Sequence, residues 1–261
     1  MGTLQGSWIW YELISPDPEG AKAFYEPVVG WSMTTGHGDS DNYGFLTAPD
    51  GAMVGGLLQL TKEMSDHGAR PCWLGYLGVD DVDASLTAIE AAGGKGLMPA
   101  TDIEMAGRVA MVADPGGAPF YVMTPKPPPG GGESTAFSAG KNPGHCGWNE
   151  LMAGEAAREI GFYTGQFGWS LPDAMDMGEM GKYQFVALDG VTHGAIMQTM
   201  PQVPAPMWNH YFWVPSIDMA KSAIETGGGQ VINGPMEVPG GDWIVQGIDP
   251  QGALFAVVGG K

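Results

Sequence analysis

The sequence predicts an α+β protein of two tandem domains, each assembled from two βαβββ modules, and three observations predict it. The first is a long internal repeat. Trp10-Tyr11-Glu12-Leu13 returns as Trp148-Asn149-Glu150-Leu151, and Phe24-Tyr25 followed by Gly30-Trp31 returns as Phe162-Tyr163 followed by Gly168-Trp169. Asp114-Pro115-Gly116-Gly117-Ala118 returns as Asp249-Pro250-Gln251-Gly252-Ala253. A period of about 135–140 residues exceeds that of stacked repeats, so each copy is long enough to bury a core of its own. The second observation is that the order strand, helix, three strands occurs twice within the first copy. The third is a proline- and glycine-rich stretch between the copies.

The elements follow from side-chain pattern. Ser7–Ser15 alternates and is rich in tryptophan and tyrosine, which is a strand signal. Asp17-Pro18-Glu19 opens a helix, with Asp17 as N-cap and Pro18 in the first turn; Ala21, Phe24, Tyr25 and Val28 recur at helical spacing until Gly30 ends it. Strand-like runs at Trp31–Thr35, Tyr43–Ala48 and Ala52–Leu60 follow, separated by turn residues. The pattern then restarts: strand Trp73–Val79, helix Asp83–Ala92 closed by Gly93-Gly94, and strands Gly96–Ile103, Arg108–Ala113 and Ala118–Thr124. Each module reads as a curved half-barrel, two of which enclose a hollow.

The repeats place a first domain at 1–125, a linker at 126–143 and a second domain at 144–261. Pro127-Pro128-Pro129 stiffens the linker and Gly130-Gly131-Gly132 loosens it. The formal charge of −18, from 29 acidic and 11 basic residues, repels phosphate backbones and anionic lipids, so the expected partner is a small molecule rather than nucleic acid or membrane. No apolar run reaches the roughly 18 residues of a membrane span. Met1–Gly6 shows no signal-peptide pattern. Cys72 and Cys146 make no CxxC pair, which suits a reducing cytoplasm.

The Asp17…Phe24-Tyr25…Gly30-Trp31 stretch, Val79-Asp80-Asp81-Val82-Asp83 and Asp114-Pro115-Gly116-Gly117, most of them repeated in the second copy, resemble the vicinal oxygen chelate superfamily. That superfamily includes glyoxalase I, extradiol dioxygenases and bleomycin-resistance proteins. The resemblance covers nearly everything except the linker. It implies a divalent metal held by His or Glu at fixed strand positions. Those positions are occupied here by Trp10 and Trp148 in the opening strands, Leu74 and Asn209 in the fifth, and Tyr121 and Ala256 in the last. A looser alignment adds Gln59 and Gln198. Indole, alkyl and phenol side chains are not ligands a divalent cation selects, so no cofactor is expected at the inherited site.

Glu12 and Glu150 are the candidate catalytic groups. Alternation puts Trp10, Glu12 and Ile14 on the hollow side of the strand and Leu13 and Ser15 on the helix side. A carboxyl among aromatic rings is desolvated, which raises its pKa and poises it as general acid or base. The plain alternative is a glutamate that ties strands together. Tyr76 and Tyr211 hold matching hollow-side places and could stabilise a developing oxyanion or satisfy their hydroxyls locally. Trp10, Trp148, Gln59, Gln198, Asn209, Trp213 and Tyr121 are the candidate ligand-binding positions, with Met123 and Met152 beside them. Histidines His145, His193 and His210 offer an alternative, relocated metal site, although His210 falls on the helix-facing parity. His37 and His67 lie in Gly- and Asp-rich loops that face solvent.

Three functions remain open on these residues: a metal-independent acid–base enzyme of lyase or isomerase type acting on a small aromatic or carbonyl-containing molecule, a sequestering protein of the bleomycin-resistance type, and a lyase or dioxygenase with a metal moved into the second copy. Asn149 for Tyr11, Asn209 for Leu74 and Ala256 for Tyr121 predict a roomier and more polar second hollow, and hence one ligand-binding copy.

Overall fold

The computed structural model describes residues 4–36, 42–126, 132–199, 203 and 205–261. The first copy runs β1 (Trp8–Ser15), α1 (Pro18–Val29), β2 (Ser32–Met33), β3 (Tyr43–Thr47), β4 (Met53–Gln59), α2 (Lys62–Asp66), β5 (Cys72–Gly78), α3 (Val82–Ala91), β6 (Lys95–Ile103), β7 (Gly107–Ala113) and β8 (Pro119–Pro125). The second runs β9 (Cys146–Ala153), α4 (Ala156–Phe167), β10 (Ala174–Asp176), β11 (Lys182–Leu188), β12 (Val191–Gln198), β13 (Met207–Val214), α5 (Ile217–Thr226), β14 (Gln230–Glu237), β15 (Trp243–Ile248) and β16 (Leu254–Gly259). The fourfold βαβββ pattern is therefore present. The strands form two eight-stranded mixed sheets that follow the two copies, in the orders β2-β3-β4-β1-β5-β8-β7-β6 and β10-β11-β12-β9-β13-β16-β15-β14.

Local chemistry sets the ends of the helices. Asp17 caps α1 by accepting from the Gly20 N–H, and Gly30 closes it at φ 90°, a left-handed conformation that glycine adopts without strain. Asp81 and Ser216 cap α3 and α5 in the same way. The short helix α2, capped by Thr61, was not visible as periodicity because one helical turn has no apolar repeat to display. The strand expected at Trp31–Thr35 shrinks to Ser32–Met33. His37 and the linker core Pro127–Gly131 lie outside the described residues; His67 is exposed, as its loop composition suggests.

By internal contacts the chain divides into two compact units, each drawing on both copies. One comprises Met1–Ile9, Gly75–Ser134 and Trp148–Trp208; the other comprises Trp10–Leu74, Thr135–Gly147 and Asn209–Lys261. Each has a buried polar relay through its aromatic core. In the first, Trp208 Nε1 donates to the Tyr163 hydroxyl (2.8 Å), which donates to Asp114 Oδ2 (3.1 Å). In the second, Trp73 Nε1 donates to the Tyr25 hydroxyl (3.0 Å), which donates to Asp249 Oδ2 (3.0 Å). The aspartates of the repeated Asp-Pro motif also hold their own turns, accepting from Ala118 N and Ala253 N. A buried indole N–H, phenol and carboxylate are satisfied together, which offsets the loss of about 1–3 kcal/mol that each would suffer unpaired. The recurring Phe-Tyr and Asp-Pro pieces are thus explained by packing.

Candidate functional site

Strand alternation sorts the chemistry. On β1, Tyr11 packs its ring on His210 (4.8 Å) and Phe212 (5.8 Å), inside the aromatic core. Trp10 and Glu12 therefore project from the opposite face. Trp10 is half-buried and its Nε1 donates to the Tyr43 hydroxyl (3.0 Å). Glu12 is buried, and its charge adds to the desolvation that pushes the nearby Cys72 thiol up to about 12. Cys72 is consequently a neutral thiol at physiological pH, not a nucleophile. Phe45, on the same face of β3 as Tyr43, meets the Trp10 ring edge-on at 6.5 Å. The closeness of Tyr43 to the strand depends on Gly56: a Cβ there would lie 2.0 Å from the Tyr43 hydroxyl.

The second copy arranges the same residue types as a chain of hydrogen bonds. Half-buried Trp148 donates from Nε1 to the Tyr183 hydroxyl (2.7 Å), and that hydroxyl donates to Glu150 Oε2 (2.7 Å). Glu150 is 8% exposed, against 2% for Glu12. The Trp148 and Tyr183 rings lie nearly parallel (7°, 6.5 Å), with Phe185 edge-on to Trp148 at 5.9 Å. Glu150 pairs in register with Ala195, where Glu12 pairs with Gly56. Sequence reasoning missed Tyr43 and Tyr183. The signal was present as a tyrosine two residues before a phenylalanine, Tyr43-Gly44-Phe45 and Tyr183-Gln184-Phe185, in equivalent strands.

The remaining candidates sit on the other half of each sheet. Tyr76 is in register with Tyr121 on the neighbouring strand, and the two rings stack at 4.3 Å and 18°. Tyr211 is in register with Ala256, which is too small to stack, and its hydroxyl instead accepts from Gln246 Nε2 (2.6 Å). Gln246 in turn accepts from Asn233 Nδ2 (3.1 Å). Asn209, two residues before Tyr211 on β13, is 2% exposed and neither its Nδ2 nor its Oδ1 has a hydrogen-bond partner. Trp213 packs its indole against Gly147, where a Cβ would come 2.0 Å from Nε1, with Lys141 Nζ 5.6 Å from the ring centre.

Several expectations need correction. Gln198 belongs to a helix cap: its Oε1 accepts from Ala156 N, and its Nε2 donates to the carbonyls of Ala153 and Gly154. It does this work because Glu155, at the α4 N-cap position, makes no side-chain cap. Asn149 contributes nothing to the face of Glu150, because it lies on the other side of β9 and donates to the His193 carbonyl (3.0 Å). The three histidines each have separate surroundings. His145 bonds the Thr135 carbonyl and, through Nε2, Asp50 Oδ2 (3.0 Å); His193 Nδ1 accepts from Trp8 Nε1 (3.2 Å); and His210 packs on Tyr11. Burial pushes His193 down to about 4 and His210 to about 3, so both are neutral at pH 7. Gln59 is half-buried at the end of β4, in register with Ser15.

The donor set does not fit the divalent metal that the fold implies. Trp10 and Trp148 offer indole N–H donors already bonded to tyrosines, Leu74 and Ala256 offer nothing, and Tyr121 is stacked on Tyr76. Among the described residues, no group of three or more His, Cys, Asp or Glu side chains is arranged to hold a metal ion. A cleft of about 200 Å³ between Ser85, Gln5, Gln166 and Phe167 has no titratable lining. No helix among the described residues is long and apolar enough to cross a membrane.

Comparison with known proteins agrees with this architecture. A family model for the "Glyoxalase/Bleomycin resistance protein/Dioxygenase superfamily" matches residues 9–122. The "Putative glyoxylase CFP32" of Mycobacterium tuberculosis (strain CDC 1551 / Oshkosh) is 30% identical over 97% of this chain and 95% of its own. The "Anthracycline biosynthesis protein DnrV" of Streptomyces peucetius is 32% identical over 97% of this chain and 93% of its own. Among solved structures, the Mn(II)-bound glyoxalase from Novosphingobium aromaticivorans shares the fold with a TM-score of 0.65 at 19% identity, covering 99% of this chain and 82% of that one. Repeated βαβββ modules and full-length relatives at this identity lead to one conclusion: the chain belongs to the glyoxalase/bleomycin resistance protein/dioxygenase superfamily.

Proposed function

We propose that the protein is an enzyme that transfers a proton on a small, carbonyl-bearing aromatic molecule without a metal, with Glu150 as the general acid or base. The observation that carries this reading is the relay Trp148→Tyr183→Glu150. A carboxylate held by a directed phenol hydroxyl has a fixed orientation, and a positioned carboxylate can take a proton from carbon next to a carbonyl. Tyr183 is then a positioning residue, and the half-buried Trp148 and Phe185 rings supply a face for a flat ligand. The relatives' names, a glyoxylase and an anthracycline biosynthesis protein, support a carbonyl-containing, polycyclic aromatic class of substrate.

The test follows the methyl protons of ortho-hydroxyacetophenone as they exchange with deuterated water. The protein should accelerate exchange, and Glu150→Gln should lower that acceleration by about 10²–10⁴-fold, the usual contribution of a general base. Equal losses for Glu12→Gln would spread the chemistry over both copies; an unchanged rate in Glu150→Gln would end the acid–base assignment.

Sequestration is a second reading, favoured by the aromatic faces Trp148–Phe185 and Trp10–Phe45. It is distinguished by Glu150→Gln retaining full affinity for an aromatic quinone while no exchange is catalysed by the wild type.

A further inference from the structure

Asn209 is a buried carboxamide in which neither the nitrogen nor the oxygen has a hydrogen-bond partner, whereas buried polar side chains in proteins generally find one. Its strand neighbours fix the face on which it lies. On β13, His210 and Phe212 turn into the aromatic core, Phe212 lying 4.8 Å from Trp31 and 4.9 Å from Trp73. Asn209 and Tyr211 therefore share the opposite face. From Tyr211 a hydrogen-bonded row runs outward through half-buried Gln246 to exposed Asn233. Register pairing puts the row on one face: Tyr211 with Ala256, Ala256 with Gln246, and Gln246 with Asn233.

The equivalent face of the first copy holds no such row. There Tyr76 pairs with Tyr121, Tyr121 with Met111, and Met111 with Met98, while Leu74 stands where Asn209 does. Three carboxamides, Asn209, Gln246 and Asn233, stand where the first copy has Leu74, Met111 and Met98. Ala256 in place of Tyr121 removes the ring that would cover Tyr211.

We propose that Asn209 and Tyr211 form an oxygen-recognition site that selects ligands carrying a hydroxyl beside a carbonyl. This goes beyond the proposed function and does not depend on Glu150; the two share only the aromatic, carbonyl-bearing class of ligand. A carboxamide has both a donor and an acceptor, so Asn209 can give N–H to a carbonyl oxygen while its own oxygen accepts from the neighbouring hydroxyl. Gln246, donating to the Tyr211 hydroxyl, orients that hydroxyl and is a positioning residue.

The experiment measures binding of quinizarin, a planar hydroxyquinone, together with thermal unfolding of the ligand-free protein. Asn209→Leu, near-isosteric and the first copy's own residue, should weaken quinizarin at least tenfold and raise the melting temperature of the free protein. A residue kept only for structure would not trade affinity for stability in that way. Gln246→Leu should weaken binding by a smaller factor. Unchanged affinity in Asn209→Leu overturns this inference alone, leaving the Glu150 chemistry standing. Absence of quinizarin binding to the wild type overturns the aromatic-ligand reading and this site with it.

Discussion

The two copies start from the same strand, Trp-x-Glu-Leu, and differ by one methyl group at the position paired with the carboxylate, Gly56 against Ala195. In the first copy Gly56 leaves room for the Tyr43 hydroxyl close against β4, with Trp10 bonded to it. In the second, Ala195 holds that place and Tyr183 reaches Glu150. The far half of each sheet diverges in the same direction, toward stacked tyrosines and methionines in the first copy and toward a carboxamide row in the second. Duplication thus preserved the packing residues, while chemistry-bearing positions drifted apart. The comparison teaches that a repeated residue need not keep a repeated role.

The largest expected effect tests the asymmetry directly. Glu150→Gln should cost about two to four orders of magnitude in proton exchange, while Glu12→Gln should cost less than tenfold, because the first copy is expected to be mainly structural; a deuterium-exchange assay on both variants compares them. The quinizarin measurement on Asn209→Leu, with its tenfold loss, comes next.

A pH titration separates the copies by stability. The second copy places His193 and His210 where the first has Val54 and Gly75. Both histidines have folded pKa values below the usual 6.5, about 4 and about 3. A depressed histidine contributes stability above its unfolded pKa and loses it as pH falls toward the folded one. Each should therefore add a slope of about 1.4 kcal/mol per pH unit of destabilisation below pH 6.5. Asp114, Asp249 and Glu159 act oppositely, since desolvation raises them and protonation favours the folded state. Denaturant unfolding of His210→Leu between pH 7 and 4 should show a shallower decline than the wild type. An identical slope would show that His210 is not titrating on unfolding.

Gly56→Ala should push the Tyr43 hydroxyl away from Trp10 at a cost of about 1 kcal/mol, the worth of one net hydrogen bond, and lower the melting temperature by about 2–4 °C. Ala195→Gly, with no clash to relieve, should cost about 0.5–1 kcal/mol through chain entropy alone. Trp148→Phe should remove one neutral hydrogen bond of about 1 kcal/mol and slow exchange only a few-fold; a loss as large as that of Glu150→Gln would make Trp148 more than a support for Tyr183.

Much of this was legible in the chain. Internal repetition, Asp17 and Pro18 before an apolar helical stripe, Gly30 after it and strand alternation were enough for the βαβββ pattern and for the face on which Glu12 and Glu150 lie, because caps and periodicity are local. The donor-poor family positions Trp10, Leu74, Tyr121 and Ala256 were equally visible. The capping role of Gln198 was not visible because the helix it closes begins 42 residues earlier in the chain, which leaves no local mark. Tyr183 was overlooked because its strand is separated from Glu150 by more than thirty residues.

The sequence by itself determined the element order and the duplicated architecture, since these depend on residue type at fixed spacing. Only the tertiary structure decided that Trp148, Tyr183 and Glu150 form one relay, that Asn209 is buried without a partner, and that each Asp-Pro aspartate accepts from a tyrosine in the other copy. The physical reason is that hydrogen bonds between distant strands are set by register, packing and the size of a neighbour such as Gly56 or Ala195. None of those is written in any single segment of the chain.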